Sequence, residues 1–523
     1  MAERHRHLVD ALRIAWICTI CCSCSTASEG AADLAYSGAA GRAAGKLTQE
    51  QLRDPEQCKG CHVTHYRQWS GSSHAYASYD PVFLAMNRRA QEETGGELGD
   101  FCVRCHAPVA TALGLTEDGL NLDELPGSVQ GVGCYACHGV EEVTGEHNGA
   151  VRLAADGVLR GGISDPRAGA PHATAYSELL DGSRAESSGL CGACHDVVLP
   201  GGLELERTYW EWSHSAFAPG ADSGAVLTCS GCHLPQTEEP TVAPGATRGE
   251  PRRGMHDHTT PALDIALSPF PRTGDDAFDR EVAAEQQAQV RALLDASLGV
   301  EICVQALPGA SSAIFVTLEN ASAGHAFPSG AAQDRRVWVQ LRARRGDELL
   351  FESGRTGPDE PTATDENLWS FMDRIFDEND QPTTHFWNAR RIESALIPAP
   401  TTFDPAARDF LVNHVTRRYP RDRAAAIAGV PDRVEVLVRV RPLGLEILED
   451  LNRSGHLARD VVDAAPTFDI IPNRHLAQHP ELSSLAAATF EWSASVKDSG
   501  RFSTRILRDE AFAKDCVGST RRN

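Results

Sequence analysis

Two different patterns of hydrophobic and polar positions divide the chain. From residue 299 onward, apolar and polar residues alternate in short runs, which is typical of strands with one buried face. Gly346 and Asp347 lie between two of these runs and predict a hairpin turn. Residues 299–445 are therefore predicted to form a β-rich, sandwich-like domain. The runs are 301-EICVQAL-307, 313-AIFVTLEN-320, 336-RVWVQLRA-343, 349-LLFES-353 and 433-RVEVLVRVRPL-443.

The regions on either side of this domain show helical periodicity. In residues 275–297, Val282, Val290, Leu293 and Leu294 fall broadly on one side of a helix, and the Ala, Gln and Glu between them favour helix by propensity. We expect residues 261–298 to be a connecting loop followed by this helix. Residues 446–523 are expected to be an extension of short helices and loops.

In residues 49–260, neither the alternating strand pattern nor the helical spacing continues for long, because glycine, proline and short polar turns interrupt both patterns. Only short helices are predicted, such as 81–95. Within this region one motif recurs five times, and it holds ten of the sixteen cysteines. For this composition the chance expectation is on the order of 0.02 copies. The copies are 58-CKGCH-62, 102-CVRCH-106, 134-CYACH-138, 191-CGACH-195 and 229-CSGCH-233.

Cys-x-x-Cys-His is the attachment motif of c-type haem. Its two thiols add across the two vinyl groups of one porphyrin, and the adjacent histidine becomes the proximal ligand of the iron. Zinc sites and redox dithiols would not need histidine after every second cysteine. The sequence therefore predicts five covalently attached c-type haems, which would supply much of the apolar core. The predicted attachment and proximal residues are Cys58, Cys61, His62, Cys102, Cys105, His106, Cys134, Cys137, His138, Cys191, Cys194, His195, Cys229, Cys232 and His233.

The N-terminus has the order of a secretory signal peptide. Basic residues precede the apolar run 14–22, and small residues follow it. We expect residues 1–27 to be the signal and 28–48 a linker, with export to the periplasm, where c-type haem is attached. Cys24 could instead be lipidated, which would anchor the chain to a membrane. No later segment is long and apolar enough to span a bilayer.

Composition restricts the partners. The formal net charge is −23, which disfavours nucleic acid and anionic lipid. A basic redox partner protein would suit this charge. Cys303 and Cys516 lie outside the repeated motifs, and a disulfide between them is left open.

The repeated motifs resemble those of multihaem cytochromes related to cytochrome c-554 and hydroxylamine oxidoreductase. The resemblance covers roughly residues 50–345. It implies a mostly irregular, short-helical multihaem cytochrome domain over 49–260, followed by the β-rich domain. It also implies a distal haem ligand at His74. The residues that carry it in the first motif are Cys58, Cys61, His62, Tyr66, Trp69, Ser73 and His74; further matches are 131-GVGCYACHG-139, 190-LCGACHDV-197 and 320-NASAGHAFPSG-330.

Each haem iron has a second axial position, opposite the proximal histidine. Histidines outside the motifs are the candidates to occupy these positions. The segment 210-WEWSHSAF-217 repeats the Trp-Ser-His theme around His74, which makes His214 its analogue. His65 follows His62 by one helical turn, so it shares the proximal side and cannot easily close its own haem. His74 is expected to close a haem other than the one bound by His62. The distal candidates are His74, His172, His214, His256, His258 and His325.

Three functions remain open at this point. Histidine on both faces of every iron predicts an electron-transfer protein. One open-faced haem would predict an oxidoreductase acting on a small nitrogen or sulfur compound. In the third alternative, the chain is a subunit of a larger redox complex.

Overall fold

The structure is a computed structural model that describes residues 47–166, 171–221, 226–237, 255–320, 322–356, 364–470, 490–493 and 516–517. The predicted signal peptide and Cys24 lie outside these residues. The described chain forms two compact units. The first runs to Leu199 and includes Phe217–Gly220 and the chain up to Ala292; the second comprises Pro200–Ala216 and the chain from Leu293 onward.

Short helices dominate the first unit. The 14-residue helix of this unit begins at Pro81 after Asp80, which caps it by accepting the Val82 N–H, and it ends at Gly95 with a φ of 64°. The helices are α1 (Gln49–Arg53), α2 (Pro55–Lys59), α3 (Val63–Ser70), α4 (Ser73–Tyr76), α5 (Pro81–Thr94), α6 (Val103–His106), α7 (Pro108–Ala112), α8 (Cys134–His138) and α9 (Glu186–Gly192).

Short strands connect these helices. An antiparallel pair is formed by β1 (Val140–Val143) and β2 (Val151–Leu153), and a parallel pair by β3 (Val158–Gly161) and β4 (Ala173–Tyr176). A cluster of buried apolar side chains packs around α6, α7 and α8. Most of the described chain in this unit is therefore short-helical or irregular, as predicted. The remaining elements of this region are β5 (Val197–Val198), β6 (Glu204–Glu206), α10 (Thr208–Ser213) and α11 (Cys229–His233).

A long helix, α12, spans Asp276–Ser297, close to the predicted 275–297. Val282 and Val290 are buried on it, as the periodicity indicated. Arg67 of α3 forms ion pairs with Glu281 at 3.1 Å and Glu285 at 2.8 Å. These contacts fix α12 against the helix that follows the first Cys-x-x-Cys-His motif.

The second unit is built mainly from two sheets. In one, the strand order is β10-β9-β17-β18, with β11 also paired to β9 and β19 to β17; in the other it is β15-β8-β7-β20, with β16 also paired to β8. The strands are β7 (Leu298–Leu307), β8 (Ser311–Asn320), β9 (Arg336–Arg345), β10 (Glu348–Ser353), β11 (Trp369–Phe371), β12 (Asp373–Phe376), β13 (Pro382–Thr383), β14 (Arg391–Ser394), β15 (His414–Tyr419), β16 (Ile427–Ala428), β17 (Arg433–Arg441), β18 (Phe468–Ile470), β19 (Phe490–Ser493) and β20 (Cys516–Val517).

The alternating pattern of the sequence corresponds to the buried faces of these strands. Val434, Val436, Val438 and Val440 of β17 are all fully buried. The hairpin predicted at Gly346 joins β9 to β10, where Arg345 pairs with Glu348. Two helices follow the sheets, α13 (Leu445–Arg453) and α14 (Arg459–Ala464). Among the described residues, no helix is long and apolar enough to cross a membrane.

Cys303 lies on β7 and is disulfide-bonded. The strand that contains Cys516 pairs with the same part of β7, with Cys516 opposite Gln305.

A half-buried carboxyl on β7, that of Glu301, should make the stability of the second unit depend on pH. Burial, and then the nearby Glu319, raises the pKa of Glu301 to about 7 from 4.5. The folded state therefore holds a proton that the unfolded state loses, and this stabilisation is lost as the pH rises from about 4.5 through 7. We expect Glu301→Gln to stabilise the protein by about 2 kcal/mol at pH 8 and to change little at pH 4.5.

Denaturant unfolding of the full chain at the two pH values measures this difference. Glu378→Gln, at an exposed position, is the control and should be neutral at both. An equal effect of Glu301→Gln at both pH values would contradict the expected pKa.

Candidate haem-binding sites

Each Cys-x-x-Cys-His motif forms one tight helical turn. The histidine N–H donates to the carbonyl of the first cysteine, at 2.8 Å for His62 to Cys58, 3.2 Å for His106 to Cys102 and 2.9 Å for His195 to Cys191. One turn places the two thiols and the histidine on neighbouring sides of the same short segment. This is the local arrangement that haem attachment requires.

Thiols of different motifs lie in contact. The Cys58 and Cys134 side chains are hydrogen-bonded to each other, as are those of Cys191 and Cys229. The first motif is therefore adjacent to the third, and the fourth is adjacent to the fifth. Burial raises the pKa of the Cys137 thiol to about 11, with Cys194 contributing further.

The proximal histidines are oriented by backbone carbonyls. The Nδ1 atom of His106 lies 2.9 Å from Ala77 O, that of His138 lies 2.6 Å from Arg160 O, and that of His233 lies 2.8 Å from Pro261 O. A hydrogen bond from Nδ1–H to a carbonyl leaves Nε2 deprotonated, which is the tautomer that binds a metal. These three imidazoles are therefore ready to bind iron through Nε2.

Three of the motif histidines face a second histidine at the separation that an iron requires. Iron lies about 2 Å from each of two imidazole nitrogens, and each nitrogen lies about 1 Å from its ring centre, so the ring centres should be about 6 Å apart. The observed separations are 6.3 Å for His62–His172, 6.1 Å for His74–His195 and 6.3 Å for His138–His258. The donor set of these three sites therefore fits haem.

The angles between the paired rings differ. The two imidazole planes are inclined by 36° in His62–His172, by 54° in His74–His195 and by 16° in His138–His258. His62 and His65 are also 6.0 Å apart, at 79°, but they lie one helical turn apart and cannot face each other across a porphyrin.

Burial favours the neutral form of three of these imidazoles, His74, His138 and His258. It lowers the pKa of His74 to about 4, with His195 as the next cause, and the pKa of His258 to about 3. The pKa of His138 is also lowered, first by burial. Neutral imidazole is the form that binds iron, so the electrostatics agree with the geometry.

The other distal candidates lie in different places. His256 belongs to the first unit, where its Nδ1 atom lies 2.5 Å from Leu234 O. His214 and His325 belong to the second unit, and their Nδ1 atoms lie 2.8 Å from Trp210 O and 2.9 Å from Ala326 O. In all three, a carbonyl that accepts the Nδ1–H favours the tautomer in which Nε2 is the metal-binding nitrogen.

Glu211 connects the segment before His214 to the turn that carries His325. Its carboxylate accepts the Ala326 N–H at 3.0 Å and the Ser329 hydroxyl at 2.7 Å. Both histidines are thus held by one local structure of the second unit. The likeness of 320-NASAGHAFPSG-330 to a turn of known cytochromes marked His325, but it did not indicate Glu211.

Three side chains at these sites were not selected from the sequence as functional. The Phe83 ring stacks on His106, with ring centres 3.9 Å apart and planes within 3°. His65, which was set aside as a ligand, contacts His258 with ring centres 4.6 Å apart, and Gln68 accepts the His258 N–H at 3.0 Å. These contacts join residues distant in sequence, so no local motif could have signalled them.

Comparisons with known proteins agree with this chemistry. Residues 57–139 match the family model of cytochrome c554 and c-prime. The structure is similar to a penta-heme cytochrome c552 from Thermochromatium tepidum, with a TM-score of 0.53 and 18% identity, covering 81% of this chain and 98% of the other. No curated protein matches the chain.

The haem-attachment motifs, the family match and the similar fold all indicate the same class of protein. The match at residues 57–139 includes three of the five motifs, and the structural likeness extends over most of the chain. Covalently bound c-type haem agrees with the motifs and with the family match. The chain therefore has the haem-attachment motifs of a multihaem c-type cytochrome, and its residues 57–139 match the cytochrome c554 and c-prime family model.

Proposed function

We propose that this chain is an exported pentahaem c-type cytochrome that transfers electrons through closely packed, mainly bis-histidine haems. Each haem, when bound, supplies an iron that changes oxidation state by one electron. The observation that carries the proposal is the set of three facing histidine pairs. An imidazole on each face of an iron leaves no position for a substrate. This arrangement favours electron transfer over chemistry at the iron.

The contacts between motifs support close packing of the cofactors. Cys58 with Cys134, and Cys191 with Cys229, bring the attachment points of two pairs of haems together. Cys137 of the third motif also interacts electrostatically with Cys194 of the fourth motif. Attachment points this close favour rapid electron transfer between neighbouring cofactors.

Two motif histidines, His106 and His233, are not in one of the three facing pairs. His256 belongs to the same unit as His106 and His233, and in this proposal it is the second ligand of one of these two irons. Phe83 holds the His106 ring by stacking on it.

Location and partners follow from the same proposal. Haem attachment through Cys-x-x-Cys-His takes place outside the cytoplasm, which agrees with a signal peptide at residues 1–27. Attachment at Cys24 as a lipoprotein is the alternative location. The net charge of −23 suits a basic redox partner protein.

Intact-mass analysis of the protein, made in a bacterium that attaches c-type haem, tests the proposal. We expect a mature chain without the signal, carrying the mass of five haems. Four or fewer haems, or an N-terminus that still contains residues 1–27, would contradict it.

A further inference from the structure

The helix that follows the first motif supports the distal ligand of the third. Helix α3 begins directly after His62, and His65 and Gln68 lie three residues apart on it. Residues at this spacing share one face of a helix. Both side chains of this face reach His258, which lies 190 residues from Gln68 in the sequence.

The contacts hold His258 at its backbone and at its ring. Gln68 Oε1 accepts the His258 N–H at 3.0 Å, which fixes the main chain. The His65 ring meets the His258 ring edge-on, at 83° and 4.6 Å between ring centres. The Nδ1 atom of His258 lies 2.8 Å from His256 O, so its Nε2 atom remains as the donor toward iron.

His65 is half-buried, and its ring packs against the His258 ring rather than lying free at the surface. Its Nδ1 atom is buried and has no hydrogen-bond partner among the residues that the structure describes. An unpaired buried nitrogen is unfavourable by about 1–3 kcal/mol. A purely apolar residue would pack here without that penalty, so the imidazole is retained at a cost in stability.

The orientation of His258 has a spectroscopic consequence. The planes of His138 and His258 are inclined by 16°, the smallest angle of the three facing pairs. Low-spin ferric haem with near-parallel imidazole planes gives a rhombic EPR signal. Steeply inclined planes give a strongly anisotropic signal with a large maximum g value, so a rotation of His258 can be detected.

We propose that His65 and Gln68 are positioning residues that fix the plane of His258 and thereby set the electronic state of the third haem. This inference rests on the proposed function, because it takes His138 and His258 as the two ligands of one iron. It makes α3 a shared element of the first and third haem sites. The Cys58–Cys134 contact is a second, separate connection between the same two motifs.

EPR spectra of the fully loaded, oxidised protein test this inference. His258→Ala identifies the signal of the third haem by abolishing it. We expect His65→Ala and Gln68→Leu each to shift that signal toward larger anisotropy and to leave the other low-spin signals unchanged. His65→Phe keeps a ring at the contact and Gln68→Glu keeps the acceptor oxygen, so both should retain the wild-type signal.

The outcomes separate the inference from the function on which it rests. Val63→Ala, at an exposed position of the same helix, is the control and should change no signal. If wild type lacks a low-spin signal that His258→Ala removes, the His138–His258 pair fails, and with it this inference and one of the three pairs on which the proposed function rests. If that signal exists and neither His65→Ala nor Gln68→Leu shifts it, the positioning role alone is overturned. If His65→Ala does not fold, the spectrum of Gln68→Leu alone tests the positioning role.

Discussion

In His172→Ala we expect one haem per chain to change from six-coordinate low-spin to five-coordinate high-spin. In His74→Ala we expect the same change at one other haem. Each substitution removes the imidazole that faces a motif histidine, His62 at 6.3 Å and His195 at 6.1 Å. The exposed iron should then bind carbon monoxide when it is reduced, with one additional molecule per chain. Absorption spectra and carbon monoxide titration of the purified variants measure the change.

His147→Ala is the matched control. His147 is exposed on the loop between β1 and β2, and it should leave every haem as in wild type. A high-spin haem in His147→Ala, or an unchanged spectrum in His172→Ala and His74→Ala, would refute the assignment of the two pairs.

Removing the attachment cysteines of the third motif should have the second large effect. In Cys134→Ala/Cys137→Ala we expect the loss of one haem and a destabilisation of at least about 4 kcal/mol. Helix α8 lies within the apolar cluster of the first unit, where Tyr135 is 2% and Ala136 6% exposed. Without its haem, this buried segment would leave an unfilled volume beside those side chains.

The fifth motif provides a matched comparison. Helix α11 contains no buried residue, so Cys229→Ala/Cys232→Ala should lose one haem at a much smaller cost in stability. Intact mass confirms the haem count of both variants, and denaturant unfolding followed by far-UV circular dichroism gives the stabilities. Equal destabilisation by the two double substitutions would contradict the role of α8 in the core.

The sequence predicted those features that depend on local patterns. Helix α12 was predicted within one residue because Val282 and Val290 repeat at helical spacing. The β9–β10 hairpin followed from Gly346, whose φ of 57° suits the turn. The motif cysteines and proximal histidines were assigned because haem attachment needs one fixed spacing.

The pairing of ligands could not be predicted in the same way. His74 and His195 are 121 residues apart, and only the tertiary fold brings them together. His172 and His62 are likewise far apart in the sequence, yet their rings face each other. Residues 200–216 lie between two haem motifs in the sequence but pack with the second unit. Contacts between residues far apart in the sequence depend on long-range packing, which local periodicity does not indicate.

His65 shows the limit of excluding a residue by spacing alone. Its position one turn after His62 does prevent it from closing that haem. The same position directs it toward His258, a ligand of a different site. A residue that is unsuitable as a ligand can therefore still act on one.

Carbon monoxide titration of the reduced wild-type protein tests the central claim most directly. Three irons with histidine on both faces leave at most two positions open, so we expect no more than two molecules of carbon monoxide bound per chain. Binding of three or more would contradict the bis-histidine assignment and the proposed electron-transfer function.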